Sequence, residues 1–166
     1  MCGIAGIFSH SPEKHPAGLI RKVTDSMSHR GPDADGFFEE GPVSLGHRRL
    51  SIIDLSDSAN CPFIDPSGRY VLVFNGEMYN FQDVRRELPD YPFRTSGDTE
   101  VLMAAFIKWG PDCVRRFKGM FAFAVWDRQE QTLTVCRDRM GVKPIYYYQD
   151  GQVFIFASEL RAILAS

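Results

Sequence analysis

Apolar residues in this chain fall into short continuous runs and into runs spaced at three and four, and the two patterns predict different elements. Ile4 to Phe8 is continuous and reads as a buried strand. Leu19, Ile20, Val23 and Met27 recur at helical spacing, which predicts an amphipathic helix to about His29, ended by the turn chemistry of Gly31-Pro32-Asp33. Val43 to Ile53 reads as strand again. Tyr70 to Phe74 is apolar on both faces and runs directly into Asn75-Gly76. Phe81, Val84 and Leu88 mark a short helix. Val101, Leu102, Ala105, Phe106 and Trp109 mark a longer one, with Ser96 or Asp98 as its cap and Gly110-Pro111 as its stop.

The second half continues the pattern. Phe121 to Trp126 is a strand, and Thr132 to Cys136 is its expected partner. Tyr146 to Gln149 and Gln152 to Phe156 flank Asp150-Gly151, a dipeptide that favours a type I′ hairpin. Ser158 is placed to cap a last helical segment from Glu159 to Leu164. Strands apolar on both faces are not those of a half-solvated sheet, which would alternate. The hairpin signal argues for antiparallel pairing. Antiparallel sheets covered on both faces, with amphipathic helices at hand, predict a layered α/β sandwich.

Composition narrows the class. The chain has 166 residues, which suits one domain over residues 1–166. It is 44% hydrophobic and 24% charged, a globular balance. A net charge of −2 without a basic stripe argues against a nucleic-acid partner. No apolar run approaches the roughly 18 residues of a membrane span. The start does not read as a signal peptide, so a cytoplasmic location is expected. Cys2, Cys61, Cys113 and Cys136 form no C-x-x-C pair and have no H-x-x-x-H beside them, so no metal site is expected and reduced thiols are. His10, His15, His29 and His47 are scattered, and none pairs obviously with a nucleophile.

Four stretches carry candidate chemistry. Cys2 follows the initiator methionine and is small enough for that methionine to be trimmed. Trimming leaves one residue with both a thiol nucleophile and a free α-amine, whose ordinary pKa of about 7.7–8.0 suits it to act as a base on its own thiol. Cys2 also reads simply as a small apolar residue opening a strand. Arg48 and Arg49 are adjacent in a strand and point to opposite faces, so one is a candidate bidentate anchor for a carboxylate, or both are exposed edge charges. Asn75 and Gly76 offer a side-chain N–H and a backbone N–H that could meet at an oxyanion, or they form an ordinary turn. Asp98 is a helix cap or an acceptor for a substrate ammonium. The loop Arg137-Asp138-Arg139-Met140-Gly141-Val142-Lys143-Pro144 reads as a structured contact surface or as a solvated loop.

Taken in order, these stretches resemble a known family. The matching residues are Cys2-Gly3-Ile4-Ala5-Gly6, His29-Arg30-Gly31-Pro32-Asp33, Arg49-Leu50-Ser51-Ile52-Ile53-Asp54, Phe74-Asn75-Gly76-Glu77 with Tyr79-Asn80, and Ser96-Gly97-Asp98-Thr99-Glu100. They continue through Phe117-Lys118-Gly119-Met120-Phe121-Ala122-Phe123, Arg137-Asp138-Arg139 with Gly141, Lys143-Pro144, Tyr146-Tyr147 and Ala157-Ser158-Glu159-Leu160. Over nearly its whole length the chain resembles the class II glutamine amidotransferase domain. The His-Arg-Gly-Pro-Asp form points to the asparagine synthetase branch.

The resemblance implies an α+β fold of the N-terminal-nucleophile hydrolase kind, a four-layer αββα sandwich of two antiparallel sheets between helices. It implies hydrolysis of L-glutamine to glutamate and ammonia, with Cys2 as nucleophile, its α-amine as base, and Asn75 and Gly76 as the oxyanion hole. Arg49 then takes the substrate carboxylate, Glu77 and Asp98 lie around the amino end, and Leu50, Ile52 and Ile53 line the pocket. No cofactor is implied for this domain. ATP and Mg²⁺ would belong to a synthetase domain or subunit, which is the expected ammonia acceptor and has no counterpart in these residues. A homo-oligomer is compatible with the family. Two other readings stay open: a non-catalytic or unprocessed binding module, and an N-terminal-cysteine hydrolase for another amide. One departure is notable, since Cys61-Pro62 stands where the family usually has Gln-Pro.

Overall fold

Buried apolar side chains form three clusters, and these fix the number of layers. The computed structural model describes residues 1–11, 16–51 and 60–166. One cluster joins Ala5, Ile7, Ile155 and Ala157 to Ile20, Val23, Met27 and Ala162. A second joins Ile4, Val43, Leu45 and Phe156 to Val71, Val73, Ala122, Ala124 and Trp126. The third joins Leu72, Phe74, Phe121, Phe123 and Val125 to Val84, Val101, Leu102, Ala105 and Phe106. Neighbours along one strand fall into different clusters, Ile4 and Ala5 for instance, as the two-residue period of a strand requires. Both faces of both sheets are therefore buried, and the layers run helix, sheet, sheet, helix.

The first sheet contains β1 (Gly3–Ser9), β2 (Ala34–Glu40), β3 (Val43–Arg49), β8 (Tyr146–Gln149) and β9 (Val153–Ala157) in the order β2-β3-β1-β9-β8. The second contains β4 (Phe63–Ile64), β5 (Tyr70–Met78), β6 (Gly119–Asp127) and β7 (Thr132–Arg137) in chain order. All described pairings are antiparallel. Helices α1 (Leu19–Asp25) and α4 (Leu160–Leu164) cover the outer face of the first sheet. Helix α3 (Asp98–Trp109) covers the second, with α2 (Phe81–Arg86) packed beside it. This is the four-layer arrangement that the resemblance implied.

Several local expectations are corrected. The sequence pattern did not announce β2, because it is an edge strand carrying Asp35, Glu39 and Glu40, and edge strands are commonly charged. Helix α1 ends at Asp25, and a separate 3-10 turn spans Ser28–Arg30. The predicted strand to Ile53 ends at Arg49, and Ile52 and Ile53 lie outside the described residues. Asn75-Gly76 is not a turn. Strand β5 runs through it, with Asn75 opposite Ala122 and Gly76 opposite Phe121. Only glycine fits at 76, since a Cβ there would lie 2.4 Å from Met120 O.

The capping assignments also change. The residue before α3 is Gly97, and Asp98 is its first helical residue. Ser158 does not cap α4. Its Oγ accepts the Ile4 N–H at 3.0 Å and its own N–H donates to Ile4 O at 2.9 Å, so it clamps β1. The turn at Asp150-Gly151 is not type I′, which needs positive φ at both residues, and only Gly151 has it (86°). Instead Asp150 Oδ1 accepts the N–H groups of Gln152 at 2.9 Å and Val153 at 2.8 Å.

Phe156 is fully buried in the middle layer. Phe156→Ala is expected to lower the unfolding free energy by about 3–5 kcal/mol, the usual cost of emptying such a site, as read from urea denaturation.

Candidate functional site

Antiparallel pairing sets the beginning of β1 beside the end of β3. Gly3 lies opposite Arg48, which brings Cys2 against the residues that follow. Leu50 N–H donates to Cys2 Sγ at 3.4 Å, and the Cys2 thiol donates to Leu50 O at 3.6 Å. These residues form one wall of a cleft of about 300 Å³. Across it, β5 contributes Asn75, Gly76 and Glu77, and the start of α3 contributes Asp98. Cys2, Arg49, Leu50, Asn75, Gly76, Glu77 and Asp98 thus all line one cleft, although they come from both sheets and a helix. Of the predicted site residues, Ile52 and Ile53 lie outside the described residues.

The two adjacent arginines separate as strand alternation requires. Arg48 pairs with Asp25 and, at 3.5 Å, with Asp35. Arg49 turns the other way into the cleft, is 8% exposed, and donates to Asn60 Oδ1 at 2.5 Å. Its guanidinium offers the planar set of donors that can hold a carboxylate through two hydrogen bonds.

Asn75 is buried, and its Nδ2 has no hydrogen-bond partner among the described residues. A buried donor left unpaired costs about 1–3 kcal/mol, a deficit that an oxygen arriving in the cleft would remove. On the opposite side, burial raises the Asp98 carboxyl above its usual range. The Met78 N–H, at 2.9 Å from Asp98 Oδ2, opposes this, while the charge of Glu77 adds to it. Two carboxylates are therefore available for an ammonium. The loop before Asp98 is set by Glu100, which is fully buried and accepts N–H groups of Arg94 and Thr95 and the Thr95 hydroxyl at 2.6–3.1 Å.

Among the lining residues to which the sequence reading gave no site role are His47, Cys61 and Lys143. His47 lies two residues before Arg49 on β3 and so on the same strand face, the one signal that could have found it. Its Nε2–H donates to Phe74 O at 3.0 Å, which puts the proton on that nitrogen. Burial lowers its pKa to about 4; the Phe74 bond opposes the shift and Arg49 adds to it. Burial, with Cys2 nearby, pushes the Cys61 thiol up to about 12, so it stays protonated where Cys2 would react.

The His-Arg-Gly-Pro-Asp stretch holds the cleft from behind. Arg30 Nε donates to Cys2 O at 2.9 Å, and its guanidinium also meets Glu159 Oε1 at 3.1 Å. His29 Nε2 reaches that same oxygen at 2.8 Å. Gly31 lies so close to the β3 backbone that a Cβ would fall 2.4 Å from Arg48 C. Asp33 Oδ2 accepts the Ser51 N–H at 2.8 Å. A thiol hydrogen-bonded to the Leu50 backbone, a guanidinium, two carboxylates and an amide donor unpaired among the described residues together suit acyl transfer from an amino-acid side chain.

The family model described as "Glutamine amidotransferase domain" matches residues 1–166. Asparagine synthetase [glutamine-hydrolyzing] 3 of Bacillus subtilis is 40% identical over 169 residues, covering 99% of this chain and 28% of that protein. Asparagine synthetase B [glutamine-hydrolyzing] of Escherichia coli is 37% identical over 171 residues, covering 99% of this chain and 30% of that protein. The chain therefore spans less than a third of the length of these two relatives. Among solved structures, the glutamine phosphoribosylpyrophosphate amidotransferase of B. subtilis has the same fold. It superposes with a TM-score of 0.80 at 22% identity, over 99% of this chain and 43% of that one.

Neutral burial of His47 has a measurable consequence. Between pH about 6.5 and about 4 the unfolded chain binds a proton at this residue and the folded one does not, so stability rises with pH across that window and is lost on acidification. The loss is on the order of 3 kcal/mol. His47→Gln keeps a donor for Phe74 O and cannot titrate. Urea unfolding at pH 7 and pH 4.5 should show a smaller drop for the variant than for the wild type.

Proposed function

The chain belongs to the glutamine amidotransferase domain family, and from that premise we propose that Cys2 attacks the side-chain amide of L-glutamine to release ammonia and glutamate. The convergence of Cys2, Arg49, Asp98 and the unpartnered Asn75 amide in one cleft carries this reading. Removal of Met1, which is exposed at the cleft, frees the α-amine. That amine takes the thiol proton, and the thiolate forms a bond to the amide carbon. Arg49 holds the α-carboxylate, and Asp98 with Glu77 holds the α-ammonium. The carbonyl oxygen becomes an oxyanion between Asn75 Nδ2 and the Gly76 N–H. The protonated amine returns its proton to the nitrogen, the C–N bond breaks and ammonia leaves. Water, deprotonated by the same amine, cleaves the thioester to glutamate and restores the thiol.

In this reading the domain needs neither metal nor ATP, because the thiol supplies the nucleophile and the two N–H groups the electrophilic assistance. The ammonia serves an acceptor of the asparagine synthetase kind, held on a synthetase domain or subunit that uses ATP and Mg²⁺. The names of the relatives, glutamine-hydrolysing asparagine synthetases, support that acceptor class. The setting is cytoplasmic. Among the described residues no helix is long and apolar enough to cross a membrane. The other N-terminal-cysteine hydrolases are disfavoured by a cleft that carries both a carboxylate fork and a carboxylate pair.

Processing comes first among the tests. Cys2→Ala should abolish ammonia release, and Cys2→Ser should nearly do so. Protein retaining Met1, identified by intact mass, should be equally silent; rapid turnover by such protein contradicts the amine as base. Processed wild type should give ammonia and glutamate in equal amounts with glutamine alone.

Binding and catalysis should separate by residue. Arg49→Lys loses the fork and should mainly raise KM. Asn75→Ala should lower kcat by roughly 10²–10³-fold with little change in KM, the usual cost of one oxyanion donor. A raised KM with intact kcat for Asn75→Ala would remove it from the oxyanion hole.

A further inference from the structure

Lys143 lines the cleft with Cys2 and Asn75 and is 4% exposed, yet its ammonium has no hydrogen bond or ion pair among the described residues. An ammonium that lines a cleft without a counter-charge is available to a negative charge that develops there. The backbone of Lys143 is held tightly. Asp138 Oδ2 accepts the Lys143 N–H at 3.0 Å and also the Phe121 N–H at 3.2 Å, while Oδ1 accepts the Val142 N–H at 3.0 Å. Arg137 donates to Lys143 O at 3.0 Å and to Gly141 O at 2.6 Å. Phe121 is the residue opposite Gly76 in the β5–β6 ladder. One shared carboxylate oxygen thus ties the Lys143 backbone to the β6 position that lies opposite Gly76.

Charge in the cleft points the same way. Its formal charges are Arg49 and Lys143 against Glu77 and Asp98, with His47 neutral. A bound amino acid adds one carboxylate, met by Arg49, and one ammonium, met by the carboxylates. No group of the bound ground state calls for Lys143. Attack by Cys2 adds one negative charge beside Asn75 and Gly76, whose donors are both neutral. We propose that the Lys143 ammonium faces this oxyanion and is a third group stabilising the tetrahedral intermediate. It transfers no proton in the reaction, and the charge it faces disappears when the C=O bond reforms and ammonia is expelled. The proposal rests on the glutaminase reading. A point charge on a clamped loop, fixed before the charge develops, is the form of stabilisation that acts on the transition state more than on binding.

The test compares processed wild type with Lys143→Met, which keeps the stem and removes the charge, and Lys143→Arg, which restores a cation. Lys143→Met is expected to lower kcat with glutamine by about 10²-fold, the scale of losing one oxyanion group, while KM shifts by less than about twofold. Lys143→Arg should recover most of the rate. The pH dependence of Cys2 alkylation by iodoacetamide should be the same in all three, which also reports an intact cleft. Lys143→Gln carries the same expectation should Lys143→Met fail to fold. Unchanged kcat, or a raised KM with intact kcat, overturns the proposal, as does a displaced alkylation profile, which would make Lys143 the partner of the thiolate. Wild type that fails to release glutamate despite a free Cys2 amine contradicts the glutaminase reading instead.

Discussion

A hydrogen bond from a buried, uncharged imidazole joins the two sheets beneath the cleft. His47 on β3 donates to Phe74 O on β5 at 3.0 Å, in a middle layer otherwise filled by apolar side chains. Facing sheets lie about 10 Å apart and slide over one another unless something specific holds them. His47 is two residues from Arg49, and Phe74 is the residue before Asn75. Arg49 and Asn75, which line the cleft from different sheets, are therefore tied to each other by one polar contact. The imidazole there is uncharged, and an Nδ1–H of the charged form would find no acceptor among the described residues. Burial secures this by keeping its pKa near 4.

Cys2, as the second residue of the chain, faces a different difficulty, since chain ends fray. Here the first strand is held by side chains from distant positions. Ser158 brackets Ile4 through both its hydroxyl and its backbone, and Arg30 holds the Cys2 carbonyl. Glu159 in turn orients Arg30 and His29 through a single carboxylate oxygen. His29 and Arg30 hold the Glu159 carboxyl below its usual range despite the opposing effect of burial. None of these four residues lines the cleft itself. Their spacing of about 130 residues is bridged because β9 pairs with β1 and delivers Ser158 and Glu159 to its start.

Strong periodicity made most elements readable, from the helix at Leu19 to the strand at Phe121. The edge strand β2 was not, because charge at a sheet edge removes the alternation that pattern reading needs. Asn75-Gly76 read as a possible turn because its local chemistry favours one; nine paired residues of β6 override that preference. The split between Arg48 and Arg49 follows from strand geometry alone and held. Roles for Cys2, Asn75 and Asp98 stayed open in local spacing and came from resemblance to a family. His47 had only its two-residue interval from Arg49 to mark it, and Lys143 read as part of a contact loop, because the Phe74 O partner of one and the Asp138 clamp of the other are encoded by no sequence interval.

Met1 is exposed yet forms part of the cleft wall next to Cys2. With the α-amine of Cys2 as base, every molecule is born inactive and becomes active by one irreversible cut. A partly trimmed population is then a mixture of a working enzyme and an inert one with the same fold. Its apparent kcat scales with the trimmed fraction while its KM does not move. Such a sample imitates a mutant with a damaged oxyanion hole, and its activity records its history of maturation as much as the chemistry of its cleft.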